Sequence, residues 1–573
     1  MTYDLKPLKA PRAAGGLLRT FVTLVETPGT GDLLAGKLLR DAGVVALRDL
    51  VPQEPLDSRH PLFVLNDALA GADRAAAEDP APGPLDVAEL AAGLPAAPDE
   101  GFRPESAADF QAAYRDGRST PEAVAERALD VVRQSEQLDP AMRLFIAQDR
   151  DDVMEQARAS TARWAAGETL GPLDGVPVAV KDELHQAGYP TTVGTRFLGG
   201  EPATTDAEPV ARLRSAGALL IGKCNMHEIG LGVTGLNPHH GSARNPYDPH
   251  RATGGSSSGS AAAVAAGVCP VAVGADGGGS IRIPAALCGM YGIKATFGRI
   301  SEHGAAELCW SVAHVGPIAA TAADLALSYA VMAGPDPKDD NSLHQPPPSF
   351  ADVARTDLDG LRLGIYRPWF DSAQAPVIER CRELVQTLES AGAEIVDIDI
   401  PELGVLRTAH LITIIAEMAA AHVGHYAAHR SEYGLDTRLN LALARKLSAY
   451  DYVHAQRHRA RLCRHFAGIL RGVDVIVTPA TGCTAPLLPT DALLSGESNL
   501  EVTDQIMRFA AAANMTGLPA LAMPAGHDDA GLPIGLQVMG RPWQEHVLLR
   551  IAFAAERQVR RNPPKIHFRY LDR

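Results

Sequence analysis

The segment that decides the fold is GGSSSGSAAAVAAGVCPVAVGADGGGSIRIPAALCGMYGIK, which occupies residues 254–294. It contains two clusters of glycine and serine. The first cluster, Gly254–Gly259, leads into an alanine-rich helix that we predict to end at Gly267. The second cluster, Gly277–Ser280, follows a predicted strand at Val271–Val273 and precedes a second predicted helix. Both clusters are therefore expected on turns at the ends of secondary structure elements.

The alternation of helices and strands continues along the chain. An amphipathic helix is predicted at Pro121–Gln134, because its apolar residues recur at helical spacing. Short apolar strands are predicted at Val176–Val180, Leu219–Ile221, Val271–Val273 and Val475–Val477. Such alternation indicates an α/β fold in which helices cover a sheet.

The chain has 573 residues, which is more than a single hydrophobic core usually spans. Residues 68–104 are rich in Ala, Pro, Asp and Glu and lack sustained helical periodicity, which is typical of a linker or a surface excursion. We therefore predict an N-terminal helical extension with its linker at residues 1–100 and a larger domain at residues 101–573.

Two short amphipathic helices are predicted within residues 12–47, separated by a turn rich in glycine and proline. Two interpretations are open for them. The helices either pack on the core or have a functional role, as a flap over a lipid-binding channel or as a membrane-touching surface. Under the second interpretation, the channel is lined by Leu17, Phe21, Val25, Leu34 and Leu38.

Composition excludes several classes of protein. The formal net charge of −15 argues against a nucleic-acid partner, because phosphate binding needs clustered Lys and Arg. The seven cysteines are scattered without the paired spacing of zinc sites or disulfide frameworks, which favours a reducing, cytoplasmic location and predicts no metal site. No signal peptide is predicted, and the longest apolar candidate, Ser260–Ala275, is better interpreted as a buried helix and strand than as a membrane span.

The second glycine cluster suits catalysis. Successive backbone N–H groups at a loop-to-helix junction can bind a developing oxyanion, and Gly277, Gly278 and Gly279 are the candidate donors. On composition alone, however, a glycine–serine cluster is more often a flexible turn. Residues 255–259 also match the G-x-S-x-G pattern, but no acid and histidine follow in the context of a nucleophile elbow.

Other motifs of the sequence favour plain structural roles. Neither glycine cluster has the spacing of a dinucleotide fingerprint or of a P-loop. His239 and His240 are adjacent and cannot easily bind one metal, and His227-Glu228 does not extend to H-E-x-x-H. We interpret these histidines as loop residues that make structural hydrogen bonds.

A serine nucleophile needs a base, and Lys181 is the candidate. It follows the apolar strand Val176–Val180, so the chain carries its amine directly out of a buried element. Burial disfavours the charged ammonium, and a neutral amine can accept a proton. A lysine at the end of a strand is usually a surface charge, so this assignment depends on what surrounds it.

Three motifs together, GGSSSGSAAAVAAG, GADGGGSIRIPAALCG and VAVKD, resemble the amidase signature family. The resemblance implies that Lys181 is the base, that Ser256, after a cis peptide from Gly255, is the bridging serine, and that Ser280 is the acyl-accepting nucleophile. It also implies supporting positions at Ser257, Asp276 and Arg282. The implied fold is a large twisted mixed β-sheet covered by helices on both faces, and no cofactor is implied.

Further segments resemble the plant-type fatty acid amide hydrolase group of this family, including KAPRAAGGLLRTFVTLVETP, LNPHHGSARNPYDPHR and GLPIGLQVMGRPWQE. Gly277 is similar to that group, since many family members carry Thr or Ile there. Residues 413–425 diverge from the group, so acyl-channel residues are not transferred to them. The resemblance implies hydrolysis of N-acyl amides such as N-acylethanolamines, a role in lipid metabolism, a homodimer and peripheral membrane contact.

Three alternative functions are considered: two use the same triad for another amide substrate, and one has no catalytic site. The triad could serve a small-molecule or aryl amidase, or the glutaminase subunit of a tRNA-dependent amidotransferase. The N-terminal extension weighs against the glutaminase. A catalytically inactive membrane-binding scaffold is disfavoured, because all three triad positions are intact.

Overall fold

The computed structural model describes residues 3–8, 10–50, 65, 69, 86–95 and 101–571. Most of the linker predicted at residues 68–104 lies outside the described residues. Within that stretch Val87–Gly93 form a short helix, which the Asp86 side chain caps by accepting hydrogen bonds from two backbone N–H groups. The division near residue 100 stays a prediction.

A mixed sheet of eleven strands forms the centre of the described structure, in the order β11-β10-β12-β15-β14-β8-β9-β7-β3-β4-β2. Two small two-stranded sheets pair β1 with β13 and β5 with β6. The strands are β1 Ala13–Ala14, β2 Phe145–Ala147, β3 Pro177–Lys181, β4 Leu219–Cys224, β5 Arg244–Asn245, β6 Asp248–Ala252, β7 Val271–Ala275, β8 Tyr291–Lys294, β9 Val315–Ala319, β10 Arg362–Ile365, β11 Glu394–Asp397, β12 Val475–Pro479, β13 Glu497–Ser498, β14 Ala520–His527 and β15 Pro533–Gly540.

The α-helices of the described residues are Gly15–Glu26, Thr30–Asp41, Val44–Asp49, Val87–Gly93, Ala107–Arg115, Pro121–Glu136, Arg150–Ala166, Glu208–Ser215, Ser258–Ala265, Arg282–Leu287, Ala322–Met332, Arg367–Phe370, Ala375–Ser390, Leu403–Ala421, Val423–His429, Leu435–Ala444, Ala449–Leu470, Leu500–Met507, Ala511–Thr516 and Glu545–Glu556. Short 3₁₀ turns lie at Glu228–Gly230 and Asp340–Ser342.

Helices cover both faces of the large sheet. Successive side chains of a strand point to opposite faces, so a single strand contributes to the packing on both. In β3, Val178 and Val180 join one buried cluster with residues of the helix Ala322–Met332. Ala179, between them, joins a second cluster with residues of the helix Ser258–Ala265. The predicted α/β fold with a mixed sheet between helical layers is confirmed.

Parallel pairing of β3 and β7 positions the site. Val178 pairs with Val271 and Val180 with Val273, so the two strands end at the same edge of the sheet. Lys181 is the last residue of β3, and the second glycine cluster follows β7 directly. The predicted strands and helices of this region are present, each within a few residues of its expected bounds.

The apolar stretch Ser260–Ala275 forms a buried helix followed by β7, as predicted. Gly267, expected to end this helix, lies just after it with φ of 74°. A bulkier residue at this position would also collide with the carbonyl oxygen of Phe568. All seven cysteines are free and buried, in agreement with their interpretation as small hydrophobic residues.

Among the described residues, the helix Leu403–Ala421 is long and apolar enough to cross a membrane, judged by length and composition alone. It packs against the helix Ala449–Leu470, and its Ala409, Ile412 and Met418 side chains are buried. The sequence analysis did not single out this segment. This burial is typical of a core helix, and core helices can also be long and apolar enough to meet the criteria for a membrane span.

Candidate active site

Lys181 lies at the centre of the candidate site. Its side chain is fully buried, and its Nζ donates to Ser256 Oγ at 2.8 Å and to the Ala275 carbonyl oxygen at 3.2 Å. These contacts follow from the pairing of β3 with β7, which places the end of one strand beside the end of the other. The prediction that Lys181 ends a buried strand is confirmed, and its contact with Ser256 is an addition from the structure.

The first serine cluster approaches Lys181 through a sharp change in chain direction. The peptide bond between Gly255 and Ser256 is cis, as the family resemblance implied. The Ser257 hydroxyl lies 3.3 Å from both the backbone N and the carbonyl oxygen of Ala275, which ties this cluster to the end of β7. Ser257 N also donates to the Ser280 carbonyl oxygen at 3.3 Å, so the two serine clusters are joined directly.

A buried ion pair shapes the second cluster. The Asp276 carboxylate accepts from the Gly279 N–H at 2.6 Å and from the Ile281 N–H at 3.1 Å, and it pairs with Arg282 at 3.0 Å. Burial alone would raise the pKa of Asp276, but the Arg282 guanidinium and the hydrogen bonds it accepts lower that pKa overall. The loop of residues 276–280 therefore folds around a carboxylate that stays ionised.

The three glycines predicted as oxyanion donors are not equivalent. The Gly279 N–H is occupied by Asp276. Within the described part of the chain, the N–H groups of Gly277, Gly278 and Ser280 donate no hydrogen bond. Ser280 is 6% exposed and Ser256 2% exposed, so both serines are almost completely buried. The oxyanion role of the three glycines stays a prediction.

His410 was not predicted from the sequence, although it contacts the glycine loop. Its Nε2 lies 2.9 Å from the Gly277 carbonyl oxygen. Because a carbonyl can only accept, Nε2 must carry the proton of a neutral ring. Burial lowers the pKa of His410 to about 4, so the ring remains neutral at physiological pH. No motif marks this residue, which arrives from the distant helix Leu403–Ala421.

Cys309 is a second residue that the sequence analysis missed at the site. A Cβ built on Gly277 would lie 2.5 Å from its Sγ, closer than two unbonded atoms can approach. A Cβ on Gly278 would lie 2.8 Å from the His410 ring. Glycine is required at both positions by the close packing of these side chains.

We expect Gly277→Ala to lower kcat by about tenfold or more while the protein stays folded, because the loop must shift to clear Cys309 and misplaces its N–H groups. Removing the obstruction in the double variant Gly277→Ala/Cys309→Ala should restore part of the rate. Steady-state kinetics on both variants and on Cys309→Ala alone check this. Equal rates for the single and double glycine variants would contradict the steric explanation.

The histidines set aside in the sequence analysis make structural contacts, as predicted. His239 Nε2 lies 2.6 Å from Glu228 Oε1, and His240 Nε2 lies 2.9 Å from the Thr195 carbonyl oxygen. Both contacts hold the loop that precedes the first serine cluster. His227 Nε2 lies 3.4 Å from the Asp436 carboxylate.

The predicted channel residues are distributed over different environments. Val25 is buried against residues of the helix Leu435–Ala444, while Phe21, Leu34 and Leu38 are half-buried beside the same cluster. Leu17 is 66% exposed. The buried face of the first helix thus consists of Leu18, Val22 and Val25. The channel role stays a prediction.

Comparison with known proteins identifies the family. The sequence model of the Amidase family matches residues 127–549. The fatty acid amide hydrolase of Arabidopsis thaliana is 39% identical over 572 residues, covering 97% of this chain and 94% of that protein. The fatty acid amide hydrolase of Oryza sativa subsp. japonica is 40% identical over 589 residues, covering 99% and 96%. A glutamyl-tRNA(Gln) amidotransferase subunit of Chloroflexus aurantiacus is 36% identical over 477 residues, covering 78% and 95%.

Solved structures agree with this assignment. The peptide amidase of Stenotrophomonas maltophilia superposes with a TM-score of 0.69 at 29% identity, covering 80% of this chain and 98% of that one. A bacterial aryl acylamidase of the amidase signature family gives a TM-score of 0.72 at 26% identity, covering 79% and 96%. The chain therefore belongs to the amidase signature family, and it is an amide hydrolase close to the plant fatty acid amide hydrolases.

Proposed function

We propose that this enzyme hydrolyses N-acyl amides with a hydrophobic acyl chain, such as N-acylethanolamines, through a triad of Lys181, Ser256 and Ser280. The observation that carries the triad is the hydrogen bond of 2.8 Å from the fully buried Lys181 Nζ to Ser256 Oγ. A buried amine in contact with a serine hydroxyl is the arrangement that activates a serine without histidine. The link from Ser257 N to Ser280 O holds the third member beside this pair.

In the proposed mechanism, neutral Lys181 accepts a proton from Ser256, and Ser256 accepts one from Ser280 as the Ser280 oxygen attacks the amide carbon. Ser256 then passes a proton to the departing amine. Water hydrolyses the acyl-enzyme by the same relay in reverse. The backbone N–H groups of Gly277, Gly278 and Ser280, which are not engaged by Asp276, stabilise both oxyanions, and one such donor is worth about 3 kcal/mol.

Apolar side chains around the glycine loop support a hydrophobic acyl group. A methyl group at Gly277 would lie 3.5 Å from Ile414 Cδ1, and one at Gly278 would lie 3.3 Å from Met507 Cε. Both side chains are only half-buried, so they border the cleft rather than close it. Ile414 lies in the stretch from which channel residues were not transferred by resemblance.

The N-terminal residues favour an acyl amide hydrolase over a glutaminase subunit. The alignment with the Arabidopsis thaliana enzyme covers 97% of this chain, whereas the alignment with the amidotransferase protein covers 78%. The helices Gly15–Glu26 and Thr30–Asp41 pack on the helix Leu435–Ala444, so the extension is part of the folded enzyme. Incubation with acylethanolamides, primary amides, aryl amides and glutamine, with products identified by mass, tests the proposal. Turnover of glutamine or of aryl amides in preference to long-chain acylethanolamides would overturn it.

We expect kcat/KM to rise steeply with acyl length, by about fourfold per methylene until the channel is full, because each buried methylene is worth about 0.8 kcal/mol. If the N-terminal helices line that channel, Phe21→Ser should lower the ratio of long-chain to short-chain kcat/KM. Thr23→Ala, at an exposed polar residue of the same helix, is the matched control. A lower melting temperature with an unchanged ratio for Phe21→Ser would remove these helices from the substrate site.

Peripheral membrane contact is part of the proposal. Leu17 and Leu24 are spaced by seven residues on one face of the first helix and are 66% and 43% exposed, and Leu33 on the next helix is 78% exposed. Exposed apolar side chains on neighbouring amphipathic helices support binding to a lipid surface. A cytoplasmic location and a homodimer are likewise proposed.

A further inference from the structure

Glu183 places a carboxylate against the base of the triad. The chain turns directly after β3, with Leu184 N donating to the Lys181 carbonyl oxygen at 3.1 Å. This turn returns the Glu183 carboxylate to Lys181, where Oε2 lies 2.6 Å from Nζ. The Lys181 side chain is completely buried, whereas that of Glu183 is 8% exposed, so the carboxylate is the member of this pair that reaches the cleft.

Glu183 and Ser256 both approach Gly230, so the carboxylate and the serine hydroxyl lie on the same side of the site. A methyl group built on Gly230 would lie 3.5 Å from Ser256 Oγ, 3.8 Å from Glu183 Oε2 and 3.2 Å from Leu308 Cδ1. In the proposed mechanism, Ser256 hands its proton to the departing amine. The amine of the substrate must therefore leave on the side of the cleft that Glu183 borders.

Among the described residues, two cations of this region, Arg282 and Lys223, are already paired with other carboxylates. The nearby Arg282 is committed to Asp276, and Lys223 is committed to Asp182. The field is negative at Cys309 as well, since burial first and then the carboxylates of Glu183 and other glutamates raise the pKa of its thiol. A second negative charge brought near Glu183 would be repelled in a poorly solvated site.

We infer that Glu183 determines specificity for the amine half of the substrate: it excludes amides whose departing amine carries a carboxylate and admits neutral amines such as ethanolamine. This inference rests on the proposed role of Ser256 as proton donor to the leaving group. An ethanolamine hydroxyl can donate a hydrogen bond to the carboxylate, whereas the carboxylate of an N-acylglycine cannot. Discrimination of this kind, by placing a like charge against the wrong substrate, is an effective route to specificity.

The test uses substrate pairs that differ only in the charge of the amine. N-Lauroylethanolamine is compared with N-lauroylglycine, and N-benzoylethanolamine with N-benzoylglycine, by kcat/KM in the full-length enzyme. In a pair that is cleaved, Glu183→Gln should raise the kcat/KM of the glycine substrate relative to that of the ethanolamine substrate by about tenfold or more. Glu183→Asp should retain the discrimination.

Two controls separate charge selection from other effects. A loss of catalytic efficiency in the proton relay itself lowers kcat for both members of a pair, so it is seen in the absolute rates and is separated from a change in the ratio. Glu417→Gln, at a carboxylate that binds the Ser311 hydroxyl instead of bordering the Gly230 space, should also leave the ratio unchanged. If turnover of Glu183→Gln is too slow to measure, each member of a pair is tested as a competitor of fluorophosphonate labelling. The ratio of the two inhibition constants then replaces the ratio of kcat/KM.

An unchanged ratio in Glu183→Gln, or an equal change in Glu417→Gln, would overturn the inference. The two pairs also distinguish it from the proposed function. Cleavage of the benzoyl pair alone would contradict the preference for hydrophobic acyl chains, while the benzoyl ratio would still decide the role of Glu183.

Discussion

Ser280→Ala should lower kcat by about four to six orders of magnitude without loss of the fold, because the proposed mechanism forms the acyl-enzyme on this hydroxyl. The hydroxyl is removed from a loop whose shape depends on Asp276 and its backbone hydrogen bonds, and these do not involve the Ser280 side chain. Amide turnover and the melting temperature, measured side by side, check the expectation.

Ser258→Ala is the matched control for this variant. Ser258 is a buried serine of the neighbouring cluster, and its hydroxyl makes a single long contact of 3.4 Å with the Asn225 carbonyl oxygen. We expect this variant to retain most of the activity. Full activity in Ser280→Ala, or equal losses in the two variants, would remove Ser280 from the nucleophile position.

Replacing Lys181 should have a comparably large effect. Lys181→Met keeps an apolar chain of similar length but removes the amine that contacts Ser256 Oγ, and we expect a loss of several orders of magnitude in the acylation rate. Lys181→Arg should be equally impaired, because a guanidinium stays charged and cannot accept a proton.

Stopped-flow acylation by an activated substrate over a range of pH measures these effects. Thermal unfolding of each variant shows whether loss of the buried amine has also destabilised the protein, since Glu183 would be left without its partner. Near-normal acylation by Lys181→Arg or by Lys181→Met would contradict a lysine base.

The sequence predicted the elements on which the triad stands because their signals are local. The strand before Lys181, the strand before the second glycine cluster and the helices after both clusters are set by short apolar runs and by glycine. Their convergence follows from one rule, since parallel neighbouring strands end at the same edge of a sheet.

The residues that surround the triad could not be predicted in this way. His410 reaches Gly277 from a helix 133 positions further along the chain, and no spacing relates the two. The hydrogen bond from the Gly279 N–H to Asp276 could not be predicted either. Composition does not show which backbone N–H groups a buried carboxylate will accept from. Glu183 is close to Lys181 in sequence, but its contact arises from the turn after β3, which the alternation of apolar residues does not describe.

The proposed mechanism is tested most directly by trapping the acyl-enzyme. The full-length protein is mixed with N-palmitoylethanolamine, quenched in acid within the first turnover and digested for mapping by mass. We predict release of ethanolamine together with a palmitoyl group attached to Ser280 and to no other residue. A palmitoyl group on Ser256 or Ser257, or ethanolamine release with no acylated serine at any time point, would contradict a triad in which Ser280 is the nucleophile.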